Sequence, residues 1–527
     1  MPPIANRRGA FDIEASHALP SVHRVRMPLD LKAVARTLGG LLLFLGAALV
    51  LPALVGLLYG EPSWWTFAAT AAGTLALGGG AWFGLGGHRG AGEDLGIREG
   101  FAIVALSWFV LALVGALPFV LAGLLSYTDA FFETISGFTT TGATILGGSA
   151  TPAIEALPNS FLFWRSLAHW MGGMGIIVLT LAILPILGVG GMQLFKAEVP
   201  GPSADKLTPR VRETAKRLWM IYVGITIVEM LLLLPAMSPF DAVNHAFATM
   251  ATGGFSTENG SVGQYDSAYI DWVITVFMFL AGMNFALHYR MLRGKAITVW
   301  RDTEFRAYTA ITLLATFFIA VATWQPTSWT MVASETFAGY ASLADALRYA
   351  AFQASAIITT TGFGTADYEL WPPLAIVTVF VLFFCGGMAG STGGGVKVIR
   401  HVLLAKNSYK EIRQLVHPRA ILPVRLNGDV VPDDVMRNVL SFIVLYLGLV
   451  AMGTVVMALT GLDLLSAFGT TISSVGNIGP AFGNFGPTEN YAAISSFGKW
   501  FLGLLMIAGR LEIFTVLILF APDFWRR

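Results

Sequence analysis

The chain has little of what a soluble enzyme uses. Only 12% of its 527 residues are charged, about half the roughly 25% of an ordinary soluble domain. A single cysteine, Cys385, excludes an intramolecular disulfide and any zinc-type cysteine cluster. His169, His245 and His288 are scattered without metal-ligand spacing and read as structural. No nucleophile stands near a base at a recognisable spacing, so no enzyme is expected. The first residues carry Arg7, Arg8, Asp12, Glu14, Arg24 and Arg26 but no short apolar run with a cleavage site, so no cleaved signal peptide is expected. What is abundant is apolar side chain, 55% of the total, and this makes the chain a polytopic membrane protein.

A helix needs about 20 apolar residues to cross a hydrocarbon core roughly 30 Å thick. That ruler gives two leading spans near 37–59 and 63–86, then a polar connector at 88–99. A pattern of span, short Thr/Gly-ended segment, irregular return and second span then runs four times, over about 100–187, 217–293, 305–404 and 434–520. With their connectors these give units 1–36, 37–99, 100–216, 217–304, 305–433 and 434–527. The units share spacings. Asp129 precedes Gly142 by thirteen positions as Asp241 precedes Gly254, and Phe132 precedes Gly142 by ten as Phe352 precedes Gly362. The second spans also carry small-residue breaks, at 172–175, 281–284, 386–390 and 508–510. Such internal periodicity decides the fold class. The expectation is an all-α polytopic membrane protein of four span–pore loop–span units around one central pore, plus two extra N-terminal helices.

The Thr/Gly segments carry the chemistry. They are Thr140, Thr141, Gly142 and Ala143; Thr252, Gly253, Gly254 and Phe255; Thr360, Thr361, Gly362 and Phe363; and Asn477, Ile478, Gly479 and Pro480. Irregular backbone inside a bilayer costs several kcal/mol per unsatisfied polar group, so it persists only when buried in protein or lining a wet path. Carbonyls left free there replace an ion's water shell, and glycine serves where φ turns positive or backbones approach closely. Short helices entering from Asp129, Asp241, Asp345 and Asp463, with aspartate as N-cap, would aim their negative carboxyl ends at the membrane centre. Four such ends around an axis suit a cation.

Assigning alternate connections to the two sides leaves all but Arg165, Arg348, Lys499 and Arg510 of the 33 basic residues on one side. By the positive-inside rule that side is cytoplasmic and holds both termini. The Thr/Gly segments then open outward among acidic residues such as Asp367 and Glu489.

Residues 386–395 interrupt the second span of the third unit with Gly386, Gly387, Gly390, Ser391, Thr392, Gly393, Gly394 and Gly395. At about 1 kcal/mol per glycine relative to alanine, a helix does not hold there, and a flexible loop beneath the Thr/Gly segments is expected. A phosphate-binding loop fits worse, because Val396 precedes Lys397 and no Ser or Thr follows it. No nucleotide site is expected in this chain. Arg510 lies mid-span in the last helix, where an arginine costs at least about 2.5–3.5 kcal/mol on insertion scales, so it faces a pore or a partner such as Glu512 or a loop carbonyl. Lys397 and Arg400 are placed at the cytoplasmic interface.

These segments, with the run Ala389-Gly390-Ser391-Thr392-Gly393-Gly394-Gly395-Val396-Lys397, resemble the Trk/Ktr/HKT superfamily of potassium transporters, and within it the TrkH-type membrane subunit. The resemblance implies one K⁺-channel-like pore per chain in the bacterial inner membrane, with Gly142, Gly254, Gly362 and Gly479 as the filter glycines that coordinate K⁺ through backbone carbonyls. It implies that residues 386–395 gate the pore, with Arg510 beside the gate. It also implies a homodimer and a cytoplasmic TrkA-type ring that binds NAD(H) and ATP or ADP; no nucleic-acid partner is expected. The fourth segment departs from the pattern: Asn477-Ile478 stands where threonines stand elsewhere, which leaves its register open between Gly479 and Gly476. A less selective K⁺/Na⁺ channel, or a secondary transporter coupled to H⁺ or Na⁺ through Glu229 or Glu512, remains an alternative.

Overall fold

The computed structural model describes residues 29–85, 97–182, 211–324, 337 and 339–525. The basic first residues, the connectors at 86–96 and 183–210, and Arg526-Arg527, all used to assign orientation, lie outside the described residues. The fold is almost wholly helical. Its regular strands, among the described residues, form one hairpin, Arg425–Leu426 against Asp429–Val430, a small departure from the all-α expectation. Among the described residues, four helices are long and apolar enough to cross a membrane, six if each of two sharply bent pairs counts as one span. Their outward faces are apolar: Thr303–Thr323 buries Tyr308, Ala315 and Ile319 but exposes Leu313, Leu314, Phe317 and Phe318. A soluble helix shows the reverse.

The leading helices, Leu31–Leu58 and Trp64–Gly84, pack closely because glycines face each other: a methyl group on Gly78 would lie 2.8 Å from the Gly39 carbonyl oxygen. Four short helices follow at intervals, Tyr127–Phe138, Pro239–Met250, Leu343–Ile358 and Leu464–Gly476. Each runs into one of the Thr/Gly segments.

Two sequence expectations need correction. Aspartate caps only the fourth short helix, through Asp463. In the others the N-cap is a serine, Ser126, Ser238 or Ser342, and the aspartate sits three residues on. Each serine hydroxyl accepts from the aspartate's N–H and donates to its carboxylate at 2.7 Å, a compact capping pair that satisfies an otherwise unpaired helix-end N–H. The second correction concerns 172–175, which do not break their helix; Asn159–Ala182 is continuous. There the glycines serve close packing, since a methyl on Gly172 would strike the Phe138 carbonyl oxygen and one on Gly173 would lie 2.8 Å from the Ala251 Cα. The break at 282–284 is a bend of 102°, the one after Arg510 a bend of 118°, and residues 383–397 form a non-helical loop between Pro373–Leu382 and Val398–Val416.

Candidate functional site

The four Thr/Gly segments share one backbone course. Thr140, Thr252, Thr360 and Asn477 have φ of 52°, 55°, 59° and 54°. Two residues on, Gly142, Gly254, Gly362 and Gly479 have φ of 82°, 80°, 76° and 104°. A β-branched residue in the left-handed region is a conformational outlier that costs of order 1–3 kcal/mol and persists only where its surroundings impose it. In the fourth segment the shared course places Gly479, not Gly476, level with the other three glycines.

The segments also close on one another. A methyl group on Gly142 would fall on the Gly253 carbonyl oxygen, one on Gly254 on that of Thr361, and one on Gly362 on that of Ile478. On Gly479 it would lie 2.7 Å from the carbonyl oxygen of Thr141. Contact thus passes from segment to segment in chain order and returns to the first. All four glycines line a single cavity, whose wall also includes Glu258 and Glu489.

Much of the side-chain chemistry holds this backbone in place. The Thr139 hydroxyl pairs with Thr141 at 2.8 Å and that of Thr359 with Thr361 at 2.7 Å. In the second segment the place of a side chain at Gly253 is filled by the His169 ring. His169 reaches the Gly137 carbonyl through Nδ1 at 2.7 Å, and its Nε2 accepts from the Phe255 N–H at 3.2 Å, which fixes the proton on Nδ1. Asn477 donates to the Thr141 hydroxyl at 3.0 Å and to the Met506 carbonyl at 2.9 Å. Ser473 and Tyr491 donate to the Gly479 carbonyl at 2.9 and 2.8 Å, so that oxygen is engaged by protein.

Behind the first two segments lies a buried ion pair that sequence reading did not find. Arg165 Nε meets Glu133 Oε1 at 2.8 Å, with both side chains almost fully buried. Glu133 also accepts from the Thr144 hydroxyl and the Ile145 N–H, while Arg165 donates to the Ser256 carbonyl and lies over the Phe255 ring. Arg348 and Lys499, expected on the same side as Arg165, face Asp271 and Asp129 at 3.6 and 2.6 Å. The three cations are thereby offset by carboxylates. Glu369 and Glu489 stay near the cavity and flank Gly486. Burial, with Glu489 and Asp367 nearby, pushes the Glu369 carboxyl up to about 7.

Loop 386–395 lies against the inner side of the ring. The Gly394 N–H donates to the Thr360 hydroxyl at 2.7 Å, and the Thr392 hydroxyl contacts the Met250 and Ala281 carbonyls at 3.1 and 3.2 Å. Arg510, 3% exposed, donates to the Thr392 carbonyl at 2.6 Å and to that of Gly172 at 3.2 Å. Of the partners open to Arg510 it takes the loop carbonyl; Glu512 pairs with Arg400 instead. Lys397 and Arg400 are buried within the protein, Lys397 on the Gly393 carbonyl and Arg400 also over the Phe442 ring.

The TrkH family model, described as a cation transport protein, matches residues 65–527. The chain belongs to the TrkH family. It is 41% identical over 94% of its length, and over all of the relative, to the Trk system potassium uptake protein TrkH of Salmonella typhimurium. Identity to the Escherichia coli K12 TrkH is 40% over the same share, and to the E. coli K12 Trk system potassium uptake protein TrkG it is 35% over 94% of this chain and 99% of that one. The crystal structure of the potassium transporter TrkH from Vibrio parahaemolyticus superposes with a TM-score of 0.83 at 38% identity, covering 94% of this chain and all of that one. The chain thus has the predominantly helical TrkH fold, and its apolar helices are those of a membrane transport family.

Proposed function

We propose that this chain takes up potassium through a channel-like filter built from its four Thr/Gly segments, which belong to four diverged copies of one span–pore loop–span unit. The observation that carries the reading is the ring, in which four segments of matching backbone course bring glycine against a neighbour's carbonyl oxygen and line one cavity. Backbone carbonyls suit a weakly hydrated monovalent cation, and the relatives named above are potassium uptake proteins. The carboxyl ends of the short helices add negative potential at the ring. Loop 386–395 is the gate, and Arg510 holds it closed by occupying the Thr392 carbonyl and setting a fixed positive charge below the filter. The driving force is the membrane potential, worth about 2.3 kcal/mol per charge per 100 mV. The chain sits in the inner membrane with both termini cytoplasmic, forms a homodimer and docks a TrkA-type nucleotide-binding ring.

The test is K⁺ against Na⁺ flux into liposomes holding the purified chain, beside Gly142→Ser and a deletion within 386–395. The reading requires K⁺-selective flux, loss of selectivity in the serine variant and higher flux with the shortened loop. Equal K⁺ and Na⁺ flux in the unaltered chain would contradict it.

One observation favours coupled transport as a second reading. Glu229 is fully buried in Val211–Leu233 beside the Thr249 hydroxyl, and neither carboxylate oxygen makes a well-formed hydrogen bond among the described residues. Coupling would show as K⁺ flux that depends on a proton or Na⁺ gradient and loses that dependence in Glu229→Gln.

A further inference from the structure

The loop is held at its ends as well as its middle. Glu304, on the first turn of Thr303–Thr323 and fully buried, accepts the Ala389 N–H at 2.8 Å and the Ile399 N–H at 3.1 Å, both on Oε1. Ala389 lies within the loop and Ile399 just after it, so one carboxylate oxygen ties together the two sides of the segment. The amino end of that helix is itself tied to the cytoplasmic hairpin. Asn427, at the hairpin tip, accepts the Thr303 N–H at 2.8 Å and donates to Asp302 Oδ2 at 3.0 Å, while Asp302 Oδ1 caps the helix at Phe305 N. A second, apolar contact runs in parallel. Val424 and Leu426 of the hairpin belong to the same buried cluster as Ala389 and Ile399.

We infer that Glu304 is a positioning residue for the loop and that the 425–430 hairpin is the lever that sets it, through Asn427, Asp302 and Glu304. The inference rests on the reading of 386–395 as a gate. A buried backbone N–H left without an acceptor costs about 1–3 kcal/mol, and Glu304 supplies the acceptor for one N–H on each side of the loop, so it fixes both sides at once. A displacement of the exposed hairpin tip is carried to Ala389 along a helix end that is already capped. Glu304 Oε2 has no partner among the described residues, which leaves the carboxylate free to turn when the helix end shifts.

Asn427→Gly keeps the turn, because Asn427 already has φ of 50° and glycine adopts that region freely; it removes only the two links to the helix. In liposomes holding the full chain, Asn427→Gly is expected to raise basal K⁺ flux about threefold and Glu304→Ala about tenfold, the scale of one buried N–H left without its acceptor. Glu304→Gln keeps an acceptor and is expected to stay within about twofold of the parent. The double variant should match Glu304→Ala alone, since residues in one chain of contacts are not additive. Hydrogen exchange supplies a readout apart from flux: amides around Ala389 and Ile399 should lose protection in Asn427→Gly while those of Thr359 to Thr361 keep it. If Glu304→Ala does not fold, the exposed Asn427→Gly carries the test. Unchanged flux and exchange in Asn427→Gly, beside a loop deletion that does raise flux, would overturn the lever and leave the gate standing. A loop deletion without effect on flux would sink the gate and the lever with it.

Discussion

The Asn477 side chain donates to the Thr141 hydroxyl at 3.0 Å, and this bond joins the last of the four segments to the first. Asn477 takes the left-handed conformation that threonine takes in the other three, and its amide also reaches the Met506 carbonyl. Asn477→Gly retains the backbone course but loses both bonds. It should lower K⁺/Na⁺ selectivity and destabilise the protein by about 1–3 kcal/mol, the net worth of two buried hydrogen bonds, seen as a lower melting temperature in detergent.

The Glu133–Arg165 pair gives a stability prediction. Removing one partner leaves an uncompensated buried charge, which costs about 3–5 kcal/mol. Arg165→Met alone should therefore lower thermal stability more than Arg165→Met together with Glu133→Leu. Because Arg165 also holds the Ser256 carbonyl, both variants should lose flux, and single and double variants that melt alike would remove the pair from the account.

A pH effect follows from Glu369. Its carboxyl titrates near 7 because burial and the neighbouring Glu489 and Asp367 disfavour the charged form. The folded value lies above the unfolded one, so the group binds more protons folded than unfolded, and its contribution to stability declines as pH rises through that window. Flux runs the other way. Above about pH 7 the mouth gains a negative charge that draws cations, so K⁺ uptake at low external K⁺ should rise between external pH 6 and 8. Glu369→Gln should flatten that rise; an unaltered pH profile in the variant would assign the titration elsewhere.

Arg510 gives the simplest test of the gate. Arg510→Gln keeps one amide for the Thr392 carbonyl but removes the charge. Flux should rise several-fold with selectivity intact, since the ring above is untouched. Equal loss of flux and selectivity would mean that Arg510 supports the filter rather than the loop.

Three of the four segments were legible because threonine and glycine stand there in plain runs, and glycine is what a positive φ and a carbonyl contact demand. The fourth was ambiguous for a physical reason. Asparagine tolerates the left-handed region without a threonine-like pattern, so Asn477 hides the register that its φ of 54° reveals. The caps of the first three short helices are ambiguous in the sequence because serine and aspartate bond each other across three residues, and either suits a helix start. Glu133 with Arg165, and Glu304 with Ala389 and Ile399, join residues 32 to 95 positions apart, and no local pattern announces such pairs. The glycines at 172–175 suggest a break because glycine disfavours helix, yet close approach to Phe138 and Ala251 is what they permit.

The most direct measurement is anomalous scattering from crystals grown in Tl⁺ or Rb⁺ in place of K⁺. The account predicts ion density on the axis between the carbonyl oxygens of Thr141, Gly253, Thr361 and Ile478, lost when Na⁺ is the only cation and weakened in Gly142→Ser. Ions bound only at the acidic mouth, with none among those four oxygens, would contradict the filter.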